Sequence, residues 1–150
     1  MYFWRINTLK EDFIAGNVTE KSMFKYLVAY TIFVGLAMIP PSEPNQFDLL
    51  SILILIPVSI IGLLYAYSSN GGDSGTDFLA KYFAIGWVVT VRLLVVFIPL
   101  AVVTNIVMVG SGFDISEGTT MWNVLITIVI EAFYFWRIAV HIGQTANVNA

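Results

Sequence analysis

Arg92 and Glu131 are ionisable residues set deep inside long apolar stretches of this chain. A charge at the centre of a bilayer costs at least ~2.5–3.5 kcal/mol, so each calls for a partner or for water. Counted from Leu79, Arg92 lies ~20 Å along its segment; counted from Met121, Glu131 lies ~15 Å along its own. If those segments run antiparallel, both residues sit near mid-depth, and an arginine can bend its head several ångströms. The spacing predicts an Arg92–Glu131 ion pair. Such a pair serves either as a gate, proton site or ion-selectivity element, or as a lock on helix register.

Glu131 also belongs to a stripe. Asn123, Thr127, Glu131, Tyr134, Ile138, His141 and Thr145 recur at spacings of four or three, on one helical face. All but Ile138 are polar or amphipathic, while the other faces carry Val, Leu, Ile, Phe, Trp and Ala. Such a stripe is expected to turn from lipid, either into a dry interhelical seam or toward a hydrated path at an oligomer axis. His141 stands four residues after Arg137, near the end of the stripe, where its charge could switch near neutral pH or its polar tip could simply meet water.

Other chemistry is thinly represented. The chain has no cysteine and one histidine, which excludes thiolate and multi-histidine metal sites within one chain. A net charge of -3 gives no basic patch for nucleic acid. Hydrolase, kinase, zincin and dinucleotide motifs are missing, so no catalytic residue, cofactor or metal is expected. Asn70, Asp73 and Asp77 do not follow the calcium-loop spacing.

These residues need elements to hold them. Of 150 residues, 58% are hydrophobic and only 11% charged. A soluble domain carries about 25% charged residues, so lipid must replace water around much of this surface. Four apolar segments predict transmembrane helices over 20–39, 48–67, 78–103 and 121–143, because backbone groups in lipid must be satisfied within the segment. Pro57 should kink the second and Pro99 the third, the remainder of which, through Thr104 and Asn105, should project from or lie along the outer surface. Tyr2, Ile6, Leu9 and Phe13 share a face, predicting an amphipathic interfacial helix over 2–16. Gly16-Asn17 should end it, and Asn17 or Thr19 should start the next. Thr76 or Asp77 and Thr119 or Thr120 are candidate caps farther on. On the second helix Ser51, Leu55, Ser59, Gly62 and Ala66 form a small-residue face suited to close packing.

The fold class expected is therefore all-α and integral to the membrane: a four-transmembrane-helix bundle behind an interfacial helix, in one domain over residues 1–150. The first and third connections hold Glu43, Asp48, Asp114 and Glu117 but no Lys or Arg, whereas Arg5, Lys10, Lys21, Lys25, Lys81 and Arg137 fall on the other side. By the positive-inside rule both termini are cytoplasmic, in a plasma or bacterial inner membrane. The opening residues lack the apolar core of a signal peptide, so they are expected to stay on the mature protein. Small multidrug transporters share the size, the four crossings and a buried glutamate; theirs stands in the first helix, so the likeness is architectural and carries no residues over. Two functions fit. One is a homo-oligomeric ion or proton channel lined by the fourth helix; the other is a non-conducting anchor or sensor that meets a cytoplasmic protein partner.

Overall fold

A computed structural model of the chain describes residues 1–37, 44–112 and 118–146. Apart from one short 3-10 turn, Gly72–Ser74, their regular structure is α-helical: α1 (Ile6–Ile14), α2 (Glu20–Ala37), α3 (Gln46–Ser69), α4 (Phe78–Gly110) and α5 (Met121–Ala146). Three of them, α3, α4 and α5, are long and apolar enough to cross a membrane. The expected first crossing, 20–39, is not among them. Within its 18 described residues α2 holds Glu20, Lys21 and Lys25, and positions 38 and 39 lie outside the described residues.

The helix ends follow local chemistry. Gly16, in the left-handed region at φ 67°, lets the chain leave α1. Thr19 begins α2, its hydroxyl accepting the Ser22 N–H at 3.3 Å. The start of α3 is a capping box: Asn45 accepts from the backbone of Phe47 and Asp48, and Asp48 accepts the Asn45 N–H at 2.7 Å. Asp77 precedes α4 but makes no side-chain cap, whereas Thr120 accepts the Asn123 N–H at 3.5 Å. Both α3 and α4 continue through Pro57 and Pro99. Each proline removes one backbone bond and ends neither helix.

α5 is the hub. It runs parallel to α3, with Asn45 Nδ2 bonded to the Thr119 carbonyl at one end and Gly143 beside the Ser69 carbonyl at the other. The contact is close because Gly62 lies under the Phe135 ring and Ala66 is fully buried. α4 runs antiparallel to α5, Gly86 facing Tyr134 and Ile138. α2 packs on α4, with Tyr30 edge-on to Phe83 at 5.7 Å.

Burial is lopsided along the bundle. α1 lies against α4 and α5, its Ile6 and Leu9 joining Ala84, Ile85, Val88 and Ile142 in one core. Lys81 is also enclosed there and donates to Asn70 Oδ1 at 3.0 Å. Toward the other end, α4 is exposed from Val95 to Gly110, apart from partly covered Phe97. Sixteen such residues are ~24 Å of helix, a length suited to hydrocarbon rather than water.

Candidate functional site

Arg92 and Glu131, expected to pair, take different partners. Arg92 Nη2 donates to the Trp4 carbonyl just before α1, and its guanidinium carbon sits 5.3 Å from the centre of the Trp4 ring. Glu131 Oε1 accepts the Ser59 hydroxyl of α3 at 3.1 Å. The predicted salt bridge is thus replaced by two separate contacts. The N-terminal segment folds back along α4 far enough to offer a carbonyl to Arg92, and Ser59 on the small-residue face of α3 reaches the carboxylate first. The N-terminal helix α1 packs on its own bundle, against α4 and α5.

The α5 stripe does not keep one environment along its length. Asn123 and Thr127 are exposed. They line a cavity of about 470 Å³ between the far halves of α4 and α5, together with Thr104, Asn105 and Thr120. Their exposure is not that of a dry seam within one protomer, and the bonding explains how they are accommodated. Thr104 donates to the Leu100 carbonyl at 2.9 Å, Asn105 to Ala101 at 2.7 Å and Thr127 to Asn123 at 2.8 Å, each within its own helix. A hydroxyl or amide proton satisfied four residues back can meet an apolar environment at reduced cost.

Farther along α5 the stripe turns inward. The Tyr134 hydroxyl meets the Tyr30 hydroxyl of α2 at 2.9 Å. Ile138, His141 and Thr145 are buried. His141 Nε2 lies 3.1 Å from Arg137 Nη2, and Nδ1 lies 3.3 Å from Gln144 Oε1. That oxygen also accepts from Lys10 Nζ of α1 at 2.7 Å. The Arg137 guanidinium carbon is 5.6 Å from the Trp136 ring centre. His141 therefore stands in a chain of neutral and cationic groups linking α5 to α1. No group of three His, Cys, Asp or Glu among the described residues could hold a metal ion.

Trp4, Tyr26 and Tyr30 carry contacts that the sequence did not single out, and Asn70, weighed there only as a cation ligand, holds its loop instead. Tyr26 is almost wholly buried, its hydroxyl accepting the Tyr2 N–H at 2.7 Å. Asn70 holds the Gly-rich connection by donating to the Thr76 carbonyl at 3.1 Å while accepting from Lys81. Asn70 stands directly before Gly71 and Gly72, and Tyr26 and Tyr30 share one face of α2, so spacing alone held a faint signal for them. Compared with known protein families, curated proteins and solved structures, the chain matches no family model and no protein or structure at a significant level.

Proposed function

We propose that this chain is a non-conducting membrane subunit, an anchor or sensor that crosses the bilayer four times and presents its N-terminal helix and Gly-rich connection to a cytoplasmic protein partner. The observation that carries this reading is the closed inner half of the α5 stripe. There Tyr134 is spent on Tyr30, and Ile138, His141 and Thr145 are buried within one protomer, with α1 bound across them through Lys10 and Gln144. A path along α5 would have to break these contacts.

Support for a fourth crossing comes from connectivity. Gly16, Thr19 and Glu20 border the same groove as Asp77 and Leu79, at the start of α4. Asn45, by contrast, bonds Thr119 at the start of α5, the opposite end of the bundle. Between Glu20 and Asn45 the chain therefore passes from one end to the other. The absence of Lys and Arg from the 40–48 and 110–120 connections supports a cytoplasmic N-terminus and C-terminus. Glu43, Asp114 and Glu117, which also entered that argument, lie outside the described residues.

The runner-up is a homo-oligomeric pore, and the cavity lined by Asn123, Thr127, Thr104 and Asn105 favours it, since polar groups there could face a shared axis. Ion flux from liposomes separates the two. Purified native protein, Glu131→Gln and Arg92→Gln are all expected to conduct nothing. Flux through the native chain that Glu131→Gln alters would replace the anchor with the pore.

A further inference from the structure

Three cationic side chains come from the elements that pack together at this end, Lys10 on α1, Arg92 on α4 and Arg137 on α5, and no carboxylate hydrogen-bonds to any of them among the described residues. Arg92 is bonded to a backbone carbonyl, Arg137 to the His141 imidazole and Lys10 to the Gln144 amide. All three partners are uncharged acceptors or an imidazole. Glu131, on the same helix as Arg137, is turned to Ser59 of α3. Lys10 and Arg137 are joined through Gln144 and His141, and Arg92 reaches the same N-terminal segment at Trp4. The arrangement is therefore short of an anion.

Two further observations indicate which anion. Arg92 Nε is buried and hydrogen-bonds to nothing among the described residues, so one edge of its donor fork is unspent. Each guanidinium also lies against an indole, Arg92 on Trp4 and Arg137 on Trp136. Those indoles are 53% and 46% exposed. Exposed tryptophans beside arginines mark the level of lipid headgroups, and the arginine fork matches the oxygens of a phosphate. Phe3, 56% exposed and edge-on to Trp87, extends this apolar rim next to Trp4.

We infer that Arg92 and Arg137 together hold the phosphate of an anionic lipid headgroup in the leaflet on the N-terminal side, with Trp4 and Trp136 at its flanks. A lipid brings its headgroup to this rim of its own accord, whereas a free phosphate would have to leave water to reach it. Lys10 stands behind as added positive charge. The bound phosphate would then join the N-terminal segment to the α4–α5 pair, so that the docking of α1 responds to lipid charge. The inference rests on the membrane reading alone. A chain that conducts would still carry the site, so the flux experiment does not decide it.

The test is a titration of the purified full chain in neutral detergent, followed by tryptophan fluorescence. The probes are short-chain phosphatidylglycerol, short-chain phosphatidylcholine and inorganic phosphate. Phosphatidylglycerol is expected to give a saturable response that phosphatidylcholine and inorganic phosphate do not. Arg137→Gln should weaken it about tenfold, the loss of one charged hydrogen-bonding partner. Arg92→Lys, which keeps the charge but loses the fork, should weaken it several-fold. Lys25→Gln, at an exposed lysine on α2, should leave it unchanged. Native-like binding by Arg137→Gln would overturn the proposal, as would an equal loss in Lys25→Gln, which would mean diffuse charge attraction. Competition by inorganic phosphate at the lipid's own concentration would reassign the site to a free anion.

Discussion

Arg92 and Glu131 illustrate how depth differs from contact. Helical rise gives both a comparable depth, but the side chains leave their helices toward different neighbours, Trp4 and Ser59. Residues with no shared partner lose stability additively. Arg92→Ala and Glu131→Ala are therefore expected to sum within about 0.5 kcal/mol in reversible unfolding in mild detergent. Ser59→Ala and Glu131→Ala should instead couple by about 0.5–1.5 kcal/mol, the net worth of a hydrogen bond. Coupling of that size between Arg92 and Glu131 would restore the direct pair. A second residue-scale prediction concerns the N-terminal segment outside the helices. Tyr2 donates to Asp12 at 2.7 Å, and this bond, aided by burial and the carboxylate's charge, raises the phenol above its ordinary value near 10. A raised value means the bond's stabilisation is complete below the unfolded pKa and fades only as pH climbs through the folded one. The difference in phenolate absorbance between the native chain and Tyr2→Phe should accordingly appear at a higher pH than for a free tyrosine. Titration at the ordinary value would mean the Asp12 bond is absent in solution.

At the scale of elements, the α3–α5 contact is set by what is missing from α3. A Cβ placed on Gly62 would come 2.2 Å from Phe135 Cγ and 2.7 Å from its Cβ, atoms too near the backbone to swing aside. Gly62→Ala is therefore expected to cost about 1–3 kcal/mol through overpacking, and to cost less when made in a Phe135→Ala background, which removes Cγ. A neutral Gly62→Ala in the same unfolding assay would mean that the two helices have room to separate. The small-residue face was legible in the sequence because Ser59, Gly62 and Ala66 recur at helical spacing. Its partner was not, since small residues permit close approach without saying by what. The α3 cap was equally open to reading, as an Asn followed three residues later by an Asp before an apolar run. The missing Asp77 cap has a local cause: Asp77 itself adopts the left-handed conformation, φ 56°, whereas a capping side chain works from extended backbone.

For the whole molecule, the burial gradient and the charge gradient run the same way. The end bearing α1 has a closed core with Lys81, Asn70, His141 and Thr145 inside it, while the far halves of α3, α4 and α5 show apolar surface outward. A bilayer centred on those outer halves leaves the basic residues at the α1 end, the side that the proposed topology makes cytoplasmic. Single cysteines at the exposed positions Gln46 and Ser74 test this orientation. With a membrane-impermeant reagent on intact cells, Gln46→Cys is expected to label and Ser74→Cys to remain protected. The reverse pattern would invert the topology; labelling of both would remove the crossing by α3.

By itself the sequence determined that this chain is helical, with helices long and apolar enough to cross a membrane, because the scarcity of charge and the length of the apolar runs call for backbone groups satisfied within each segment. It also gave most helix ends to within a few residues, since Gly16, Thr19 and Thr120 act on neighbours close in the chain. Tertiary structure decided where the ionisable residues spend their charge. It sent Arg92 to Trp4, Glu131 to Ser59 and His141 into a chain reaching Lys10, and it divided one polar stripe among a groove, two neighbouring helices and a core. Helical periodicity gives the face on which a residue lies. The angle at which that face meets its neighbours depends on close packing at positions such as Gly62 and Gly86, which appears only once the helices are assembled.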